Sequence, residues 1–103
     1  MSEHNVVTDI LRYSVGANER TIEKVFGQCT EELGEVATAY FRPHKAKEPA
    51  FDEVVDLIVA AVDLAYLLAK RDNPNITKEE IYEKIAKIQI AKCNKWWFSD
   101  LEI

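Results

Sequence analysis

The chain has 103 residues, 48% of them apolar and 30% charged, and its 18 acidic against 13 basic residues leave a net charge of -5. That length suits one domain, spanning residues 1–103, and a domain of about 100 residues buries little enough of its surface that self-association would help it. A net negative chain without an arginine-rich run disfavours duplex DNA or RNA as a partner, and its acidic clusters point towards metal cations instead.

The opening segment, Met1 to Gly16, lacks the basic flank and long apolar stretch of a secretory signal. No apolar run reaches the roughly 18 residues of a membrane span, so the expected location is cytoplasmic, with no membrane partner. A short amphipathic helix is expected around Val6 to Tyr13. The first long helix should begin near Asn18, a suitable N-cap, and run to about Phe41, because Pro43 forbids continuation.

The second long helix is expected from about Ala50 to Arg71. From Leu57 to Leu68 it is apolar at every position except Asp63, so it has no ordinary solvated face and must be covered all round. Flanking helices of one copy would hardly cover it, which predicts a homodimer or homotetramer. Thr77-Lys78-Glu79-Glu80 reads as a capping box opening a third long helix that continues to about Trp97. The expected fold is therefore all-α: an antiparallel bundle of three main helices, plus a possible short N-terminal helix. Cys29 and Cys93 form no Cys-x-x-Cys pair and have no histidine at a zinc-like spacing, so both are expected as reduced core thiols.

Two acidic strings carry the chemistry, Glu31-Glu32-Leu33-Gly34-Glu35 and Asp52-Glu53-Val54-Val55-Asp56. At about 100° per residue, positions i and i+3 share a helix side, which pairs Glu32 with Glu35 and Glu53 with Asp56. The apolar stripe of the first long helix is read as Ile22, Val25, Cys29, Leu33, Val36 and Tyr40. Glu32 falls roughly 60° from its centre, whereas Glu31 points nearly the opposite way. Asp56 and Asp63 interrupt an apolar helix with no lysine or arginine at i+3 or i+4. Two helices joined by a short loop bring the strings together as an inward-facing acidic cluster, costly without a cation. Ligands that are all oxygen suit magnesium, with manganese possible, better than zinc. A di-iron site would need Glu-x-x-His pairs, which are absent. The basic loop Arg42-Pro43-His44-Lys45-Ala46-Lys47 lies beside the cluster, where it could clamp phosphates or simply be solvated.

Glu31-Glu32-x-x-Glu35, a short loop, Glu53-x-x-Asp56 and an apolar helix resemble the MazG-like all-α nucleoside triphosphate pyrophosphohydrolases, over about residues 20 to 97. That superfamily includes all-α dUTPases, dCTP pyrophosphatases and phosphoribosyl-ATP pyrophosphohydrolases. The resemblance implies an oligomeric helical bundle and magnesium-dependent cleavage of a nucleoside triphosphate between its α and β phosphates. It further implies Glu32, Glu35, Glu53 and Asp56 as metal ligands. Glu31 matches the remaining motif acid; its outward direction argues against ligation and suits either a supporting role behind the ligands or a part in orienting the attacking water. Lys92-Cys93-Asn94 resembles the family's Lys-x-Asn segment, in which Lys92 would meet phosphate and Asn94 nucleotide.

Asp63 falls where relatives carry a polar residue that could contact sugar or a second metal; otherwise it is a buried acid bonded to a neighbouring helix. Trp96 and Trp97 are expected to pack, although one could stack on a base. The helix lacks the histidine that phosphoribosyl-ATP enzymes show shortly after the Asp, which disfavours that branch. The rival expectation is a non-catalytic helical interaction module, or a nucleotide-binding regulatory one.

Overall fold

A computed structural model describes residues 5–101, so His4 lies outside the described residues. The order is α1 (Val6–Gly16), α2 (Ile22–Phe41), a 3₁₀ turn (Pro43–Lys45), α3 (Ala50–Asp72) and α4 (Lys78–Leu101). Among the described residues there is no strand, and no helix is long and apolar enough to cross a membrane.

Local chemistry explains the boundaries. Asn5 accepts a hydrogen bond from the Thr8 amide at 2.8 Å and starts α1, which reaches Gly16 instead of stopping near Tyr13. The N-cap of α2 is Thr21, whose hydroxyl accepts from the Lys24 amide at 3.0 Å, and not Asn18. Residues 18–20 stay outside the helix, and Arg20 turns back towards α1 and α3. Pro43 ends α2 and opens the 3₁₀ turn in which His44 sits. The capping box of α4 forms as expected: Thr77 accepts from the Glu80 amide at 3.1 Å, while Glu80 accepts from the Thr77 amide at 2.9 Å. Those bonds hold the Glu80 carboxyl below its ordinary pKa, because they favour the charged form.

The apolar core lies at one end of the molecule. Leu11 of α1, Ala69 of α3 and Ile81 of α4 are its buried centre, flanked by Val62, Tyr66, Ile76 and Ile85. At the other end α2 packs along α3 in the largest helix–helix contact of the fold. The inward line of α2 contains Val25, Glu32 and Ala39, flanked by half-buried Ile22, Cys29 and Val36. Leu33 and Tyr40, expected on that stripe, are instead exposed, because α3 meets α2 on the side that carries Glu32.

Coverage is incomplete elsewhere too. Ile58 of α3 is 40% exposed, and α4 from Lys87 to Ser99 is exposed throughout, Trp96 and Trp97 included. The radius of gyration, 15.8 Å, exceeds the roughly 13 Å of a compact chain of about 100 residues. The expected packing of the two tryptophans is not seen among the described residues, where both remain more than 60% exposed. Both cysteines are free, but only Cys29 is half-buried and Cys93 is exposed, which corrects the expectation of two core thiols.

Candidate metal centre

Glu32 and Glu35 on α2 and Glu53 on α3 form a group whose ligand oxygens all lie within 4.8 Å of one another. The i, i+3 spacing on α2 turns both its acids to α3, and Glu53 enters from the first turn of α3. Glu32 and Glu53 are buried at 8% and 4% exposure, and Glu35 is half-buried. Gln28 donates to Glu32 Oε1 at 2.9 Å, yet Glu32 Oε2 and Glu53 Oε1 are sealed from solvent without a hydrogen-bond partner. Buried carboxylate oxygens normally find donors, so two orphans facing one cluster are the chemistry of a cation site.

A second group joins Asp56 and Glu53 to Glu48, again within 4.8 Å. Burial first, and the Glu35 charge second, raise the Glu32 and Glu53 carboxyls above the ordinary value of 4.5. Asp56 does the same to Glu48, through charge first. No lysine or arginine forms an ion pair with any of these five acids among the described residues. The donor set therefore fits magnesium: oxygen only, several charges, and room for water or phosphate at the remaining positions.

The other acids behave differently. Glu31 is exposed and belongs to neither group, in keeping with its outward direction. Asp63, 5% exposed, accepts from Ser14 Oγ at 2.6 Å through Oδ1 and from Arg20 Nε at 2.9 Å through Oδ2, while Arg20 Nη2 also donates to Oδ1. Of the two arrangements open to it from sequence, the structure shows the buried acid bonded to a neighbouring helix. Arg20 also donates to the Ser14 carbonyl at 3.4 Å and lies over the Tyr66 ring, 5.9 Å from its centroid. Its hydrogen bonds to Asp63 hold its pKa above the usual arginine value.

A cleft of about 460 Å³ runs from Glu32 and Asp56 to Asp63, with Tyr13, Arg20, Lys24 and Gln28 on its walls. Lys92 and Asn94 do not reach it. Both are exposed on α4, and Lys92 lines a separate apolar groove of about 560 Å³ beside Ala65 and Leu68. At about 1.5 Å per residue, those two lie roughly 14–18 Å along α3 from Asp56.

Arg20, Lys24, Gln28 and Glu48 were not singled out from sequence. For Glu48 the available signal was an acid just ahead of Pro49 in an otherwise basic loop. The comparisons add no relative: no family model, no curated protein and no solved structure matches the chain.

Proposed function

We propose that the chain is a magnesium-dependent nucleoside triphosphate pyrophosphohydrolase of the MazG-like type, yielding a nucleoside monophosphate and pyrophosphate. The observation that carries this reading is the pair of sealed, unpartnered oxygens on Glu32 and Glu53 inside one carboxylate cluster. Glu32, Glu35, Glu53 and Asp56 hold the ion, and the cleft beside them takes the nucleotide. When bound, magnesium supplies neutralisation of triphosphate charge and activation of a water nucleophile.

The residues of the chain do the rest. The water oxygen bonds to the α-phosphorus as the bond from that phosphorus to the bridging oxygen breaks; pyrophosphate leaves with the bridging oxygen, and the proton of the water passes to solvent. The acid cluster repels free triphosphate, so phosphates enter only with a cation. Lys24 and Arg20 bring positive charge to the wall of the cleft that Glu32 and Asp56 also line. Glu31, exposed and outside both acidic groups, is left a part in orienting water rather than in ligation.

Self-association belongs to the same proposal. The half-exposed apolar surface of α3 and the uncovered outer half of α4 fit an antiparallel bundle completed by a second copy, as a homodimer or homotetramer. In that assembly Lys92 and Asn94 reach a site only on a neighbouring copy. The same exposed surface favours the second reading, a helical interaction module, which requires no magnesium.

The test is release of monophosphate and pyrophosphate from a panel of ribo- and deoxynucleoside triphosphates, with magnesium and with chelator. Magnesium-dependent release that is lost in Glu35→Gln supports the enzyme. No release from any triphosphate, by a folded protein with magnesium bound, moves the assignment to the interaction module.

A further inference from the structure

The cleft of about 460 Å³ has two unlike ends. Along α2 its wall carries Lys24, Gln28 and Glu32, and along α3 it runs from Asp56 to Asp63. At about 1.5 Å per residue, each line is roughly 10–12 Å long. Glu32 and Asp56 form one end. Arg20 sits just ahead of α2 and bonds to Asp63, so the start of α2, with Lys24, belongs to the other end. Tyr13 of α1 lines that end beside Arg20, and between the two ends Val25, Val59 and Ala60 make the wall apolar.

The Asp63 end has donors to spare, while its acid is already used. Asp63 accepts three hydrogen bonds, from Ser14 Oγ and from Arg20 Nε and Nη2. Of the five N–H groups of an arginine, Arg20 gives one more to the Ser14 carbonyl and one to the Asn18 carbonyl, which leaves one on Nη1. Lys24 is exposed and makes no ion pair among the described residues. The Tyr13 hydroxyl, on a side chain whose residue is 55% exposed, has no hydrogen-bond partner among them either. With the Arg20 charge close by and Lys24 on the same wall, the phenol oxygen turns towards the cations and its hydrogen towards whatever fills the cleft. Gln28 is tied through Nε2 to Glu32 and lies a turn nearer the acids.

A nucleotide whose phosphates sit on a cation at the acid end runs its sugar along the apolar wall and points the far edge of its base at Tyr13. We propose that this end selects bases with a carbonyl opposite the glycosidic bond, as in uracil or hypoxanthine, over those with an amino group there, as in cytosine or adenine. Tyr13 determines the choice through its hydroxyl, and Lys24 and the spare Arg20 N–H add positive potential. A carbonyl accepts from these groups. An amino group sets donor against donor and leaves both unpaired, which is how a site built for one hydrogen-bonding pattern rejects another. The inference rests on the nucleotide reading of the cleft and narrows it.

The experiment is isothermal titration calorimetry of the full chain, with magnesium, against α,β-imido triphosphates in two matched pairs: deoxyuridine with deoxycytidine, and deoxyinosine with deoxyadenosine. The carbonyl member of each pair should bind about tenfold tighter, and Tyr13→Phe should bring the ratio to within about threefold of unity. Lys24→Met, at an exposed position, should lower the ratio in the same direction, and thermal melts check that both variants are folded. Equal binding within both pairs, or a ratio unchanged in Tyr13→Phe, overturns the base selection and leaves the nucleotide reading. So does a uniform loss across all four analogues in the variants, the outcome if phosphates occupy this end. Binding of none of the four by the unaltered chain overturns the nucleotide reading itself.

Discussion

Glu53 and Asp63 lie on the same helix, and both are almost wholly buried, but their surroundings differ. Asp63 is held by a hydroxyl from α1 and a guanidinium from the segment that precedes α2. Glu53 converges with other acids and keeps one sealed oxygen unbonded. Burial alone therefore does not identify a functional carboxylate. A buried acid given its own cation braces the fold, whereas one left with an unbonded oxygen among like charges is a source of electrostatic conflict in the metal-free protein.

The sharpest way to break this contrast is at Arg20. Arg20→Ala leaves the Asp63 charge buried and unpaired, and should cost about 3–5 kcal/mol in denaturant unfolding. A loss below about 1 kcal/mol would mean that Asp63 finds other partners and is no brace. Ser14→Ala removes one hydrogen bond to the same charged group and should cost about 1.5–3 kcal/mol by the same measurement. The smallest effect is expected at Glu53, with the opposite sign: Glu53→Gln should raise the melting temperature of metal-free protein by a few degrees, since it deletes repulsion without breaking a bond.

Acidity offers a second view of that sign. Glu32 and Glu53 have folded-state pKa values above the ordinary 4.5, so the folded state binds their protons more tightly than the unfolded state does. Metal-free protein should therefore become more stable as pH falls from their raised values towards about 4.5. Glu80, lowered by its capping bonds, contributes above that point and loses its contribution as pH falls further. Thermal melts in chelator across this range should show stability rising and then falling, and Glu53→Gln should flatten the rise. Melts insensitive to pH above about 4.5 would remove the argument for electrostatic conflict in the cluster.

Much of this was legible in the sequence wherever the signal is local. Pro43, the Thr77–Glu80 box and the i, i+3 acids act within a turn or two of helix, and they located the ends of α2 and α4 and the inward side of Glu32. Periodicity also placed Leu33 and Tyr40 inside, and here it misled. It identifies an apolar stripe but not which edge of that stripe a neighbouring helix covers, and α3 covers the edge bearing Glu32. Asn18 was a sound N-cap by residue type, but Arg20 reaches Asp63 only if the chain stays non-helical until Thr21. That contact spans distant parts of the sequence and leaves no local trace. Glu48 was hidden for the same reason, since its partners are set by how the 3₁₀ turn delivers the chain to α3.

The uneven coverage of α4 has a consequence for how the protein breathes. Ile81 is sealed in the core, while the residues from Lys87 to Ser99 are all exposed and gain little from packing on the other described helices. Helices of a dozen residues are marginal in water when nothing packs on them. Amides near Ile81 should exchange with solvent only on global unfolding, and those near Trp96 through local fraying, so one helix of the isolated chain carries both the slowest and the fastest clocks of the fold.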